Sequence, residues 1–90
     1  MKISKEKREK ISEQILAHLF SQNPKPLFTS HIALELARDE EFIKSLLIGL
    51  KEKGLIVEIK KNPGGITYKR RSRWRLSDKV YSFYKLQQAR

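Results

Sequence analysis

Apolar residues first recur at helical spacing: Ile11, Ile15, Leu16, Leu19 and Phe20 fall at the i, i+4 and i+8 positions of one helix face. The pattern predicts a helix over about 5–21, closed by Asn23-Pro24-Lys25-Pro26. Leu27 and Phe28 follow as an extended apolar pair. Thr29-Ser30 then offers a hydroxyl N-cap for a short helix over about 30–37, with Ile32, Leu36 and either Leu34 or Ala33 turned inward and Arg38 as the turn. A helix over about 40–53 is predicted with Asp39 as N-cap, Glu40 and Glu41 in the dipole-favoured first turn, and Ile43, Leu46, Leu47 and Leu50 inward. Gly54 stands where a left-handed C-cap belongs.

Past Gly54 the period changes from 3.6 to 2. Leu55, Val57 and Ile59 share one strand face, Ile56, Glu58 and Lys60 the other, and Asn62-Pro63-Gly64-Gly65 reads as a turn. Two hairpin registers are open. A tight turn at Pro63-Gly64 sets Ile59 opposite Tyr68, whereas setting Trp74 and Leu76 opposite Val57 and Leu55 leaves a wider loop over about 61–70. The second is preferred because it buries the tryptophan, and it projects the loop as a basic finger. The hairpin then covers about 55–76, and Ser77 caps a last helix over about 78–88. That helix carries Val80, Tyr81, Phe83, Tyr84 and Leu86, too many apolar groups for one narrow stripe, which suggests a partner. The elements make an α+β fold in a single domain spanning 1–90, since a chain of this length has apolar material for one core.

Charge adds a direction. Twenty Lys and Arg against ten Asp and Glu give a net +10. Seven of the cations (Lys60, Lys61, Lys69, Arg70, Arg71, Arg73 and Arg75) lie within 60–75, where there is no acid. Mutually repulsive cations contribute nothing to folding, so the cluster points to a polyanion such as nucleic acid. The absence of cysteine excludes a disulfide framework and thiol chemistry, and two dispersed histidines give no metal-ligand set. No cofactor is expected. No apolar run is long enough for a bilayer and the start turns charged at once, so no membrane association and a cytoplasmic location are expected. The sequence carries no Ser-His-Asp or Cys-His array, Gly-rich phosphate loop or paired-carboxylate signature, and no enzymatic activity is expected.

The order of helix, short strand, two helices, hairpin and helix resembles the winged helix-turn-helix superfamily, especially small MarR-like regulators of bacteria and archaea. Two motifs carry the likeness. Leu47-Ile48-Gly49-Leu50-Lys51-Glu52-Lys53-Gly54-Leu55-Ile56 resembles the family's end of recognition helix, and Arg73-Trp74-Arg75-Leu76-Ser77 resembles its returning strand. The resemblance covers about 11–86. It implies a regulator that binds double-stranded DNA, with the third helix in the major groove and the hairpin, or wing, along the phosphate backbone.

Outward positions of the third helix are Glu40, Glu41, Lys44, Ser45 and Ile48. No Arg, Asn or Gln stands among them for bidentate base contacts, and the two glutamates read first as helix-start residues, with a cytosine amino group as their one base-edge complement. Candidate nucleic-acid contacts are therefore Lys44, Ser45 and Ile48 on the helix and Lys60, Lys61, Tyr68, Lys69, Arg70, Arg71 and Arg73 on the wing. Trp74 is read as the core anchor of the hairpin, His31 as solvated or backbone-facing, and Gly49 as a site of close packing in preference to room for a ligand. By analogy with the terminal helices of the resembling regulators, Ile15, Leu19, Tyr81 and Tyr84 are a candidate homodimer interface. Two alternatives to a DNA-binding regulator stand beside it: an RNA-binding or ribosome-associated winged helix, and a protein-interaction module using Phe42, Ile48, Glu40 and Glu41.

Overall fold

The computed structural model describes residues 4–60 and 72–88. Helix α1 spans Lys5–Gln22, β1 Leu27–Phe28, α2 Thr29–Leu36, α3 Glu40–Glu52, β2 Ile56–Ile59, β3 Arg73–Leu76 and α4 Asp78–Gln88. The strands form one antiparallel sheet in the order β1-β3-β2, so the last strand is central. Its core side receives Leu27, Ile56, Trp74 and Leu76. Against them pack Ile11, Ile15, Leu16 and Leu19 of α1, Ile32 and Ala33 of α2, and Ile43, Leu46, Leu47 and Leu50 of α3.

The helix ends follow from local chemistry. Ser4 accepts a hydrogen bond from the Lys7 N–H through its hydroxyl (3.2 Å), and Asp39 caps α3 by accepting from the Phe42 N–H through its carboxylate (3.0 Å). Ser77 caps α4 by accepting from the Val80 N–H (3.3 Å). At the other end of α3, Gly54 takes φ 76°; its N–H donates to the Lys51 carbonyl and the Leu55 N–H to the Leu50 carbonyl. This pair of bonds is a Schellman motif, which closes the helix and hands the chain to β2. A second such motif closes α2, where Ala37 takes φ 54° and Arg38 donates back to the Ala33 carbonyl. The left-handed turn therefore falls on Ala37 and not on the expected Arg38. Of the two inward candidates on α2, Ala33 is buried and Leu34 is exposed.

Three expectations are corrected. The hydroxyl cap of α2 does not form: Phe28 holds the cap position without a side-chain bond, and Thr29 Oγ1 instead accepts from the Trp74 indole N–H at 2.9 Å. The wide-loop hairpin is the one adopted, but one residue out of the expected register, with Ile56 opposite Leu76 and Glu58 opposite Trp74. Leu55 is consumed by the Schellman motif, so the inward set begins at Ile56, and a one-residue slip exchanges the two faces of a strand. Finally, Ile15 and Leu19 are fully buried in the protomer's own core and have no surface to offer a second chain.

Candidate nucleic-acid interface

The outward face of α3 follows from its inward one. Ile43, Leu46, Leu47 and Leu50 anchor one side of the helix in the core, which leaves Glu41, Lys44, Ser45 and Ile48 exposed on the other. Ile48 is 44% exposed, a large apolar side chain held in solvent on the middle of this ridge. The Ser45 hydroxyl donates to the Phe42 carbonyl at 2.6 Å, so its hydrogen is spent within the helix and only acceptor capacity remains for a ligand. Lys44 and the two glutamates border a cleft whose other walls are Phe28, Thr29 and Ser30 at the start of α2 and Ser72 at the root of β3. The three helix candidates thus share one exposed ridge beside the root of the wing.

That root is braced by Glu58. Its place opposite Trp74 draws its side chain onto the sheet, where it is 12% exposed. Lys51 Nζ in the last turn of α3 donates to Glu58 Oε1 at 2.7 Å, Lys60 Nζ lies 3.9 Å from the same oxygen, and the Ser72 hydroxyl donates to Glu58 Oε2. Burial pushes the Glu58 carboxyl up, but the hydrogen bonds from Lys51 and Ser72 and the charges of Lys51 and Lys60 outweigh it and hold the group below its ordinary value. One carboxylate therefore ties the end of α3, the outgoing strand and the returning strand together. Sequence reading missed this role because it placed Glu58 on the outward face of the strand; the charge pattern Lys51, Glu58, Lys60 was its only signal.

Of the wing candidates, Lys60 is exposed, whereas Arg73 is half-buried on β3 with its guanidinium 6.0 Å from the centre of the Phe28 ring. Lys61, Tyr68, Lys69, Arg70 and Arg71 lie outside the described residues. Trp74 is 1% exposed and anchors the core. His31 is exposed and meets Phe28 edge-on at 5.4 Å. A Cβ built at Gly49 meets no atom within 4 Å, so close packing does not explain this glycine. On α4, Tyr81 and Tyr84 each lie 5.5 Å from Phe20 and lean on the core, while Phe83 and Leu86 stand 58% and 72% exposed. Among the described residues no group of His, Cys, Asp or Glu could hold a metal ion, and no helix is long and apolar enough to cross a membrane.

No protein-family model and no curated protein matches the chain. Solved structures do. A MepR mutant from a multidrug resistant S. aureus clinical isolate superposes with a TM-score of 0.68 at 21% identity, over 86% of this chain and 53% of that one. A ZitR double mutant from Lactococcus lactis in apo form gives 0.70 at 23% identity, over 93% and 58%. An S. aureus MepR–DNA complex gives 0.73 at 20% identity, over 93% and 66%. The chain therefore spans a little over half to about two thirds of the structures it resembles. With α3 packed against α2, its outer face bare and an antiparallel hairpin braced at its end, the chain has a winged helix-turn-helix fold like that of these structures.

Proposed function

We propose that the protein is a DNA-binding transcriptional regulator and not an enzyme, with α3 entering the major groove and the wing lying along the phosphate backbone. The observation that carries this reading is the bare ridge of Lys44, Ser45 and Ile48 set beside a wing root that Glu58 holds to the end of α3. A bare face on a single helix suits the major groove, which at about 12 Å across admits an α-helix. The cations of the sequence between β2 and β3 and at their ends, Lys60, Lys61, Lys69, Arg70, Arg71 and Arg73, serve as phosphate ligands, with Tyr68 as a further contact. The likeness to a MepR–DNA complex supports DNA as the partner. In this reading the protein is cytoplasmic.

The ridge is poor in bidentate donors, and backbone contacts dominate affinity in this reading. If about five cations meet phosphates, binding weakens by roughly several hundredfold between 50 and 200 mM salt. Fluorescence anisotropy on a random-sequence 30-base-pair duplex, with single strand and transfer RNA as competitors, tests this. A flat salt dependence refutes it, and preference for transfer RNA moves the assignment to RNA. The reading includes a homodimer through α4, for which the exposed Phe83 and Leu86 beside Tyr81 and Tyr84 supply the apolar surface. Sedimentation at micromolar concentration giving 10.6 kDa alone overturns that part.

A further inference from the structure

A groove of about 230 Å³ runs between α1 and α3, lined by Lys5, Arg8, Glu9 and Ser12 on one wall and by Ser45, Leu46, Gly49, Leu50 and Lys53 on the other. Three of its residues are cations and one is an acid. Among the described residues, none of Lys5, Arg8 and Lys53 is in an ion pair, not even with Glu9. Lys51, by contrast, is committed to Glu58. Arg8 is held toward α3 by the Phe42 ring, whose centre lies 5.7 Å from its guanidinium carbon. The floor at Gly49 is open, with nothing within 4 Å of where a Cβ would stand.

The position of this groove relative to the ridge gives it a meaning. Successive residues of a helix turn by about 100°, so Lys44 and Gly49 lie about 140° apart around the axis of α3, with Ser45 and Ile48 between them. The cleft at Lys44 and Ser72 flanks the ridge on the wing side, and the groove at Gly49 flanks it on the other. A helix in the major groove has a phosphate strand along each flank. The wing accounts for one strand only.

We propose that the groove between α1 and α3 seats the phosphodiester backbone of the second DNA strand, with Lys5, Arg8 and Lys53 as its ligands and the missing side chain at Gly49 leaving room for the approach. The site rests on the DNA-binding reading and extends it. Its contacts position the protein on the duplex without reading sequence, and they compensate for a ridge that has few base-reading donors.

The test measures affinity for a random 30-base-pair duplex across 50–200 mM salt for the full chain, for the triple variant Lys5→Gln, Arg8→Gln, Lys53→Gln, and for Gly49→Glu. Trp74 fluorescence verifies folding of each. With about 0.9 of slope per phosphate contact, the triple variant is expected to have a log–log salt slope shallower by about 2 to 3. Gly49→Glu brings a carboxylate into the groove from a Cβ that meets no atom within 4 Å and should weaken binding about tenfold or more at 100 mM salt. A native protein that binds steeply while both variants keep its slope and affinity overturns this inference and leaves the DNA-binding reading intact. A native protein that ignores the duplex at 50 mM salt overturns both.

Discussion

The Trp74–Thr29 hydrogen bond joins the central strand to the first residue of α2, and its loss should be costly in a way that fluorescence reports directly. Trp74 is the chain's only tryptophan, is 1% exposed, and donates its indole N–H to Thr29 Oγ1 at 2.9 Å. Thr29→Val keeps the size and β-branching of the side chain but removes the acceptor. The indole N–H is then left in the core with no partner, a penalty of about 1–3 kcal/mol, whereas the packing is unchanged. For a domain of this length each kcal/mol moves the unfolding midpoint by about 4–8 °C, so a mid-range penalty of about 2 kcal/mol lowers it by about 8–16 °C. Thr29→Ser retains the hydroxyl and should recover most of the loss. Thermal and urea unfolding followed by tryptophan emission measure both variants. A Thr29→Val midpoint within about 2 °C of the native one would show that the bond contributes nothing, and that this hydroxyl does not belong to the sheet.

Gly49→Ala should stabilise the fold by about 0.5–1 kcal/mol, because the added methyl meets no neighbour and removes the entropic cost of glycine inside a helix; calorimetry showing a lower midpoint would refute the open geometry at this residue. Glu58→Gln should destabilise the protein at neutral pH and change its response to acid. Because the Glu58 carboxyl is held below its ordinary value in the folded state, its contribution is complete above the unfolded-state value near 4.5 and is lost as pH falls through the lower folded value. The gap in unfolding midpoint between native protein and Glu58→Gln should therefore be constant above about pH 5 and close in more acidic solution. A gap that persists unchanged at pH 3 would mean that the ionised form of Glu58 is not what braces the wing.

Helical parts of the fold were legible because each rests on a local signal. The 3.6-residue period from Ile11 to Phe20 and from Ile43 to Leu50, the Asp39 and Ser77 caps and the Gly54 terminus all act within one turn of the residues that encode them. The strand parity was not legible in the same way. Leu55, Ile56 and Val57 are all apolar, so alternation alone fits either face, and the choice was made by the bond from the Leu55 N–H to the Leu50 carbonyl. Thr29 shows the same limit: a hydroxyl beside a helix start reads as a cap, and only a tryptophan 45 residues away reassigns it. The dimer candidates Ile15 and Leu19 failed for a related reason, since an apolar helix face does not declare which neighbour covers it.

The parity of β2 is also what connects fold to site. Had Val57 faced the core, Glu58 would have pointed to solvent, and Lys51, Lys60 and Ser72 would share no anion. With Ile56 inward, Glu58 follows it onto the core side and reaches the helix end and both strands at once. An exposed carboxylate–lysine pair contributes little, but here the carboxylate is 12% exposed against 47% for Lys51 and is shared among three partners, so it is screened less by water and fixes more geometry. It also engages Lys51, with Lys60 at longer range, whereas among the described residues Lys44 and the cations of the α1–α3 groove are in no ion pair. The Lys51 charge in the last turn of α3 is thus spent on holding β2 and the root of β3 in place.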